Sequence, residues 1–282
     1  MMGAALAFTI MFLLVKMLRE ELSGFEIIIW RGLMAVPIAF VLALKVGIVP
    51  HNVPVLLLRS VLGFGGMTLY FIAIKGLAVA DLTMISRFQP MLVAAMAPLF
   101  LGADERVGWK VWLLLALGLA GCAVLVAPGL SMGSAYGLFA LGGTFLSGGA
   151  YLCLRTLGRT DDPRVVVFWF QCVMLVLAVL GSLLESGRAL AVPSISLVPA
   201  LVGAGLAAVA GQLLVTFAYR EDRAAVVSAA EYTAVFWALL ADILVLSILP
   251  SPNALLGGAL ILGAGLALLF VEDRPRSDVG PT

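Results

Sequence analysis

The chain reads as one hydrophobic unit written twice, and no other feature restricts its fold as strongly. Shifted by about 145 residues, Thr216–Phe270 lies over Phe71–Leu125, apolar stretch on apolar stretch. Lys75 meets Arg220, Ala80 meets Ala225, Thr83 meets Ser228 and Gly118 meets Gly263. A bilayer core about 30 Å thick takes roughly 20 apolar residues of helix. Cutting at charged clusters and Pro/Gly turns gives ten such stretches, at about 1–18, 24–45, 54–76, 81–101, 107–127, 133–156, 163–184, 195–219, 224–248 and 252–271. The expected fold is all-α: a polytopic membrane protein of ten transmembrane helices in two five-helix repeats, over 1–127 and 133–271. A disordered tail, 272–282, is expected to follow.

Composition leaves no room for a water-facing surface. Of the 282 residues, 63% are hydrophobic and 12% charged, with a mean hydropathy of +1.15. A soluble domain carries about 25% charged residues. The 17 basic and 16 acidic side chains nearly balance, which gives no reason to expect a nucleic-acid partner. Cys122, Cys153 and Cys172 lie in apolar stretches without metal-ligand spacing and read as packed small hydrophobes. No metal, cofactor or catalytic residue is expected. His51 sits in the turn from Val49 to Pro54 and reads as a solvated loop residue. No basic residue precedes the first apolar run and no small-x-small cleavage site follows it, so it reads as a retained span.

Loop charges set the orientation. With the N-terminus inside, cytoplasmic segments hold ten basic residues, among them Arg106, Arg155, Arg159, Arg220 and Arg223, against four in the opposite loops. The positive-inside rule then places both termini in the cytoplasm. Five spans per repeat force the two repeats into opposite orientations, so the repeat is inverted. Inverted repeats are typical of secondary transporters, whose halves rock about a shared midplane site.

Charge inside lipid is costly, about 2.5–3.5 kcal/mol per central ionisable residue on insertion scales. Segment nine carries Glu231 and Asp242, eleven residues apart, which at about 100° per residue returns to within about 20° of one direction, with Ser228 and Ala238 on the same stripe. Segment six turns Thr144, Ser147, Tyr151 and Arg155 to one face, and segment eight turns Gln212, Thr216 and Tyr219. Segment four carries a milder stripe of Thr83, Ser86, Pro90 and Ala97, with Arg87 and Gln89 on either side, and Pro90 and Pro98 are expected to kink or loosen it. Converging stripes suit a water-accessible cavity. Glu231 and Arg87 lie about two turns inside and are assigned to it. Arg155 and Arg220, near span ends, are expected to snorkel to the interface. Asp242 suits cavity or headgroup equally. Arg31, near Glu26 and Trp30, reads as a structural ion pair, an interfacial anchor or a binding group. Leu115 is expected to face lipid.

Several stretches resemble the drug/metabolite transporter superfamily, in particular the EamA-type transporters. They are Glu26–Arg31, Leu58-Arg59-Ser60, Tyr70–Ala73 with Gly76–Asp81, Gln89-Pro90, and Leu101-Gly102 ahead of Glu105-Arg106. The family's Leu-Gly-Glu run is interrupted here by Ala103-Asp104, and the second half ends without an acidic counterpart. The resemblance implies ten helices around a central cavity, lined chiefly by helices three, four, eight and nine. It also implies a small organic metabolite or drug as substrate.

The expected function is a secondary active transporter, exporting or exchanging such a molecule across a bacterial inner membrane. Candidate substrate-binding residues are Tyr70, Arg87, Gln89, Ser147, Tyr151, Gln212, Thr216, Glu231 and Tyr232; candidate coupling residues are Glu231 and Asp242. No nucleotide motif is present, so transport is expected to run on a gradient or by exchange. A carboxylate withdrawn from water holds a proton more readily, because burial disfavours the charged form, which makes Glu231 the proton candidate. The alternative role for Glu231 is a permanent pair with Arg87 or Arg31. Partners are expected to be the substrate, protons and membrane lipid, with the chain a monomer or homodimer. The competing readings are a membrane-embedded enzyme and an accessory membrane subunit. Asp161-Asp162 ahead of Pro163 reads as a helix-start signal rather than an acidic catalytic pair.

Overall fold

Hydrophobic stretches of this length satisfy their backbone in lipid only as helices or closed barrels, and here they are helices. The computed structural model describes residues 1–19, 21–73, 76, 82, 85–126, 135–186, 191–234, 237, 240 and 252–270. Among these, ten α-helices follow in order: α1 (Met2–Leu18), α2 (Gly24–Leu44), α3 (Val53–Ala73), α4 (Gln89–Leu101), α5 (Trp109–Val126), α6 (Ala135–Thr160), α7 (Pro163–Ser186), α8 (Val198–Glu221), α9 (Ala224–Ala229) and α10 (Pro252–Phe270). Short 3-10 turns occupy Ala103–Glu105, Ile195–Leu197 and Ala230–Thr233.

Helices α2, α3, α6, α7 and α8 are long and apolar enough to cross a membrane; α1, α4, α5 and α10 are shorter apolar helices. Leu99 and Leu184 stand 80% and 89% exposed, which only a lipid surroundings tolerates on this scale. The chain is an all-α, multi-pass membrane protein.

Local sequence sets the helix ends. Ser23 and Glu26 form a reciprocal capping box at the start of α2. Asp162 accepts from the Arg164 amide at 2.9 Å and starts α7, the role expected of it. Gly102, at φ +107°, stops α4 in a conformation that L side chains rarely adopt.

Packing carries the two-fold relation of the sequence. α1 packs along α8 and α3 along α6, while α2 touches α8 and α3 touches α7. Exchanging the first five helices for the second five converts each of these pairs into the other. The pairs α2–α7, α4–α9 and α5–α10, also in contact, map onto themselves.

The loops sort to two ends. At one, Ser194 bonds Glu21 while the Ala191 backbone bonds Glu26 and Trp30, joining the α1–α2 and α7–α8 connections. At the other, the amides of His51 and Asn52 bond Asp161, and Trp169 bonds the Ile48 carbonyl at 2.7 Å. The His51 ring itself is 80% exposed, a solvated loop residue as expected.

Two expected spans differ from what is seen. Segment four was expected from residue 81, but Ile85 and Ser86 are helical, Arg87 and Phe88 turn, and α4 starts afresh at Gln89. Pro90 is the cause: it has no N–H for the Ser86 carbonyl and opens the next helix instead. Segment nine is α-helical to Ala229, tightens into the 3-10 turn Ala230–Thr233 and is helical again at Ala234, Trp237 and Leu240. Most of its remainder, with Ala238 and Asp242, lies outside the described residues, as do Lys75, Thr83 and the tail 272–282.

Candidate functional site

The two interrupted helices break at equivalent places. Arg87 and Phe88, moved by the repeat offset of about 145 residues, fall on Tyr232 and Thr233. The breaks also touch: the Tyr232 hydroxyl donates to the Arg87 carbonyl at 3.2 Å and lies 3.4 Å from the Leu115 carbonyl. Broken helices at matching positions of two repeats mark the binding region in transporter folds.

Glu231 stands in the 3-10 turn beside this junction. Its Oε2 receives a long contact from Gln89 Nε2 at 3.5 Å, and its Oε1 is shut from solvent without a hydrogen-bond partner. Tyr151 on α6 lies against the same carboxylate, and Arg87 acts on it from farther off. Among the described residues no ion pair includes Glu231. The permanent pairing with Arg87 or Arg31 is therefore not formed here. Arg31 instead places Nη1 at 2.9 Å from Met11 Sδ, and Glu26 is taken up by the cap and by Ala191.

Polar side chains from α3, α6 and α8 converge on the same region. Tyr70 donates to Thr144 Oγ1 at 2.9 Å, and Thr144 donates to the Ala140 carbonyl. Tyr151 stacks on Tyr219, with centroids 5.2 Å apart. Close backbone approach makes this convergence possible: a Cβ on Gly66 would lie 2.6 Å from Ser147 Oγ and 3.0 Å from the Gly143 carbonyl.

Arg59 is the member that the helix stripes did not single out. It is 3% exposed, donates Nη2 to Gln212 Oε1 at 2.6 Å, and lies 3.3 Å over the Phe170 ring centroid. Its Nε and Nη1 are enclosed with no partner. The signal was present: an arginine six residues into a span is expensive unless something requires it. Only packing could show that Gln212 and Phe170 come to meet it.

At one end of the molecule several elements are tied together by Glu105. Turned inward by the bend at Gly102, this carboxylate is 1% exposed and accepts from Arg155 Nε at 2.7 Å, Arg159 Nη2 at 3.3 Å and the Ala224 amide at 2.9 Å. Arg155 also donates to the carbonyls of Tyr219 and Arg220. The bend after α4, the end of α6, the end of α8 and the start of α9 are thus held by one cluster. Arg155 does not snorkel as expected; its side chain is 13% exposed and faces inward.

The expected site residues therefore separate. Arg87, Gln89, Tyr151, Glu231, Tyr70 and Gln212 face the central group, and Ser147 lines the tight α3–α6 contact. Thr216 is fully enclosed and donates to the Gln212 carbonyl in its own helix. Tyr232, also fully enclosed, has its hydroxyl engaged by backbone carbonyls, which leaves it a structural tie between α9 and α4–α5. Leu115 is buried rather than lipid-facing, because its stripe of α5 packs on Tyr232. Asp242 lies outside the described residues. Among the described residues no three His, Cys, Asp or Glu side chains converge as a metal site would need.

Residues 1–127 match the EamA-like transporter family. Similar proteins that match most of the chain carry transporter names. The pseudopaline exporter CntI of Pseudomonas aeruginosa is 28% identical over 277 residues, 94% of this chain and 93% of its own. An uncharacterised transporter of Helicobacter pylori is 25% identical over 94% of this chain and 91% of its own. A riboflavin transporter of Rhizobium johnstonii is 26% identical over 77% and 70%. A crystal structure of another protein shares the fold with a TM-score of 0.76, covering 95% of this chain and 98% of its own at 19% identity. The second half of the chain contributes Glu231, Tyr151 and Gln212 to this region, and the first contributes Arg59, Arg87 and Gln89.

Proposed function

We infer that this protein is a secondary transporter that exports or exchanges a small organic metabolite across a bacterial inner membrane by alternating access. The observation that carries the reading is the pair of helix interruptions, at Arg87–Phe88 and Ala230–Thr233, which meet at an enclosed and unpartnered carboxylate oxygen. The names of the relatives, an exporter of pseudopaline and a transporter of riboflavin, agree with small organic cargo.

Alternating access needs a central site, a seal at one end and a seal that can part. The Glu105 cluster supplies a seal on the side that the basic loops assign to the cytoplasm. Parting it means moving α4 and α6 against α8 and α9, the motion two repeats make when they rock about a shared centre. Glu231 then faces each side in turn and carries the coupling proton, with Tyr151, Gln89 and Arg87 around it. Both termini lie in the cytoplasm.

The experiment is flux in proteoliposomes. Metabolites that raise the thermal stability of the purified protein are offered as substrates under an imposed pH gradient. The reading requires accumulation that a protonophore abolishes. Protein that moves none of the stabilising metabolites overturns it.

A further inference from the structure

A groove of about 280 Å³ opens between α3, α4 and α6, away from the central polar group. Its walls include Leu58, Leu62, Met96, Phe100 and Phe145. Leu58, Phe100 and Phe145 are at least half exposed, so the groove faces outward into lipid. Val55, Leu101 and Thr156 line it close to the ends of their helices, which places it at the Glu105 end of the bundle.

In a bilayer, apolar walls alone select no partner, because the surrounding chains are equally apolar. Selection comes from charge at the end of the groove. Along α6 the lining residues Phe145, Gly149, Leu152 and Thr156 recur at steps of three and four, and the next step is Arg159. Arg159 is half-exposed and gives Nη2 to Glu105 at 3.3 Å, four residues beyond the groove residue Leu101. Arg155 already holds that carboxylate at 2.7 Å. One carboxylate between two guanidiniums leaves a positive charge over, and Arg159 is the more exposed of the two. Nη2 is the only one of its donor atoms engaged among the described residues. The whole end is basic in balance: the described connections and adjoining helix turns hold eight basic against six acidic side chains.

A planar guanidinium with donors to spare grips phosphate oxygens two at a time. Basic pockets between helices at a membrane face suit anionic headgroups. A second copy of the chain, oriented alike in the same membrane, would instead set like charges side by side. We propose that the groove between α3, α4 and α6 binds an anionic phospholipid, with an acyl chain along its apolar walls and the phosphate on Arg159. Two of the three helices belong to the first half of the chain and one to the second, so the bound lipid bridges the halves beside the Glu105 cluster. This inference goes beyond the transport reading and stands whether or not a solute is carried.

The test uses purified full-length protein, stripped of lipid in a neutral detergent and read by thermal unfolding and by native mass spectrometry. The probes are dioleoylphosphatidylglycerol, dioleoylphosphatidylcholine and glycerol 3-phosphate. The two lipids share their chains, and the last has the phosphate without a chain. The anionic lipid should protect at concentrations roughly tenfold or more below the zwitterionic one, and glycerol 3-phosphate should not protect. Arg159→Gln should bring the anionic lipid down to the level of the zwitterionic one. Arg164→Gln, at a charge paired with Asp162, should leave the preference intact. Thr156→Phe, which fills the groove and spares Arg159, should remove retained anionic lipid from the mass spectrum. The wild-type comparison needs no variant, so a variant that fails to fold still leaves the proposal open to refutation. Equal protection by both lipids, protection by glycerol 3-phosphate alone, or an unchanged preference in folded Arg159→Gln overturns it. So does an equal loss in Arg164→Gln, or a lipid-free dimer that Thr156→Phe disrupts.

Discussion

The Tyr232 hydroxyl donates to the carbonyl of Arg87 at 3.2 Å, and the two residues stand at equivalent positions of the two repeats. The bond closes the junction where both helices are interrupted, in lipid, where a freed carbonyl has no water to turn to. Tyr232→Phe keeps the ring packed against Gly118 and removes only the hydroxyl. It should destabilise the protein by about 1–2 kcal/mol, seen as a lower melting temperature in detergent. An unchanged melting temperature would show that the junction does not depend on this bond.

Glu105 predicts a gate. Glu105→Gln leaves Arg155 enclosed without its counter-charge, a loss of about 3 kcal/mol or more for a buried pair broken on one side. Cysteine introduced at Tyr151 should then react faster with membrane-impermeant thiol reagents added on the cytoplasmic side. Unaltered reactivity in folded Glu105→Gln would mean that the cluster is not a seal.

Helix α3 must pass α6 at backbone distance. Gly66→Ala brings a methyl group to 2.6 Å from Ser147 Oγ and 3.0 Å from the Gly143 carbonyl. Overpacking of this kind costs about 1–3 kcal/mol. Gly263→Ala, which meets nothing within 4 Å, should be neutral or stabilising by about 0.5–1 kcal/mol. Parallel melting curves of the two variants separate a packing contact from a general preference for alanine.

Water access distinguishes centre from periphery. Cysteines at Arg87, Tyr151 and Gln212, in a cysteine-free background, should label with small aqueous thiol reagents as the protein cycles. Leu113, 58% exposed on the outer face of α5, should not. Leu115 is unsuitable as a lipid-facing control because it is buried against Tyr232. Equal labelling at all positions would remove the central site.

The helices were legible in the sequence because lipid allows one solution to a long apolar run. The first two and last spans agree with expectation to within a residue or so, since charged clusters and turn residues mark them plainly. Segment four was expected as one span kinked or loosened at Pro90 and Pro98. The structure goes further at Pro90, where the helix stops and a new one opens, because the missing N–H cannot continue the ladder. Stripes named Tyr151, Gln212 and Glu231, and the structure sets Tyr151 beside the Glu231 carboxylate and Gln212 against Arg59. They could not tell that Arg155 would turn to Glu105 rather than to headgroups, because the partner lies 50 residues away in a bend set by Gly102. Arg59 shows the same limit. Its cost in lipid was visible in the sequence, and its surroundings were not.

The central claim is that Glu231 couples transport to protons, and one substitution tests it. Glu231→Gln protein in proteoliposomes is supplied with the metabolite that most stabilises the wild type, first without and then with a pH gradient. The account predicts a folded protein that still exchanges the metabolite at saturating concentration, yet no longer accumulates it when the gradient is imposed. Undiminished gradient-driven accumulation in folded Glu231→Gln protein would contradict it.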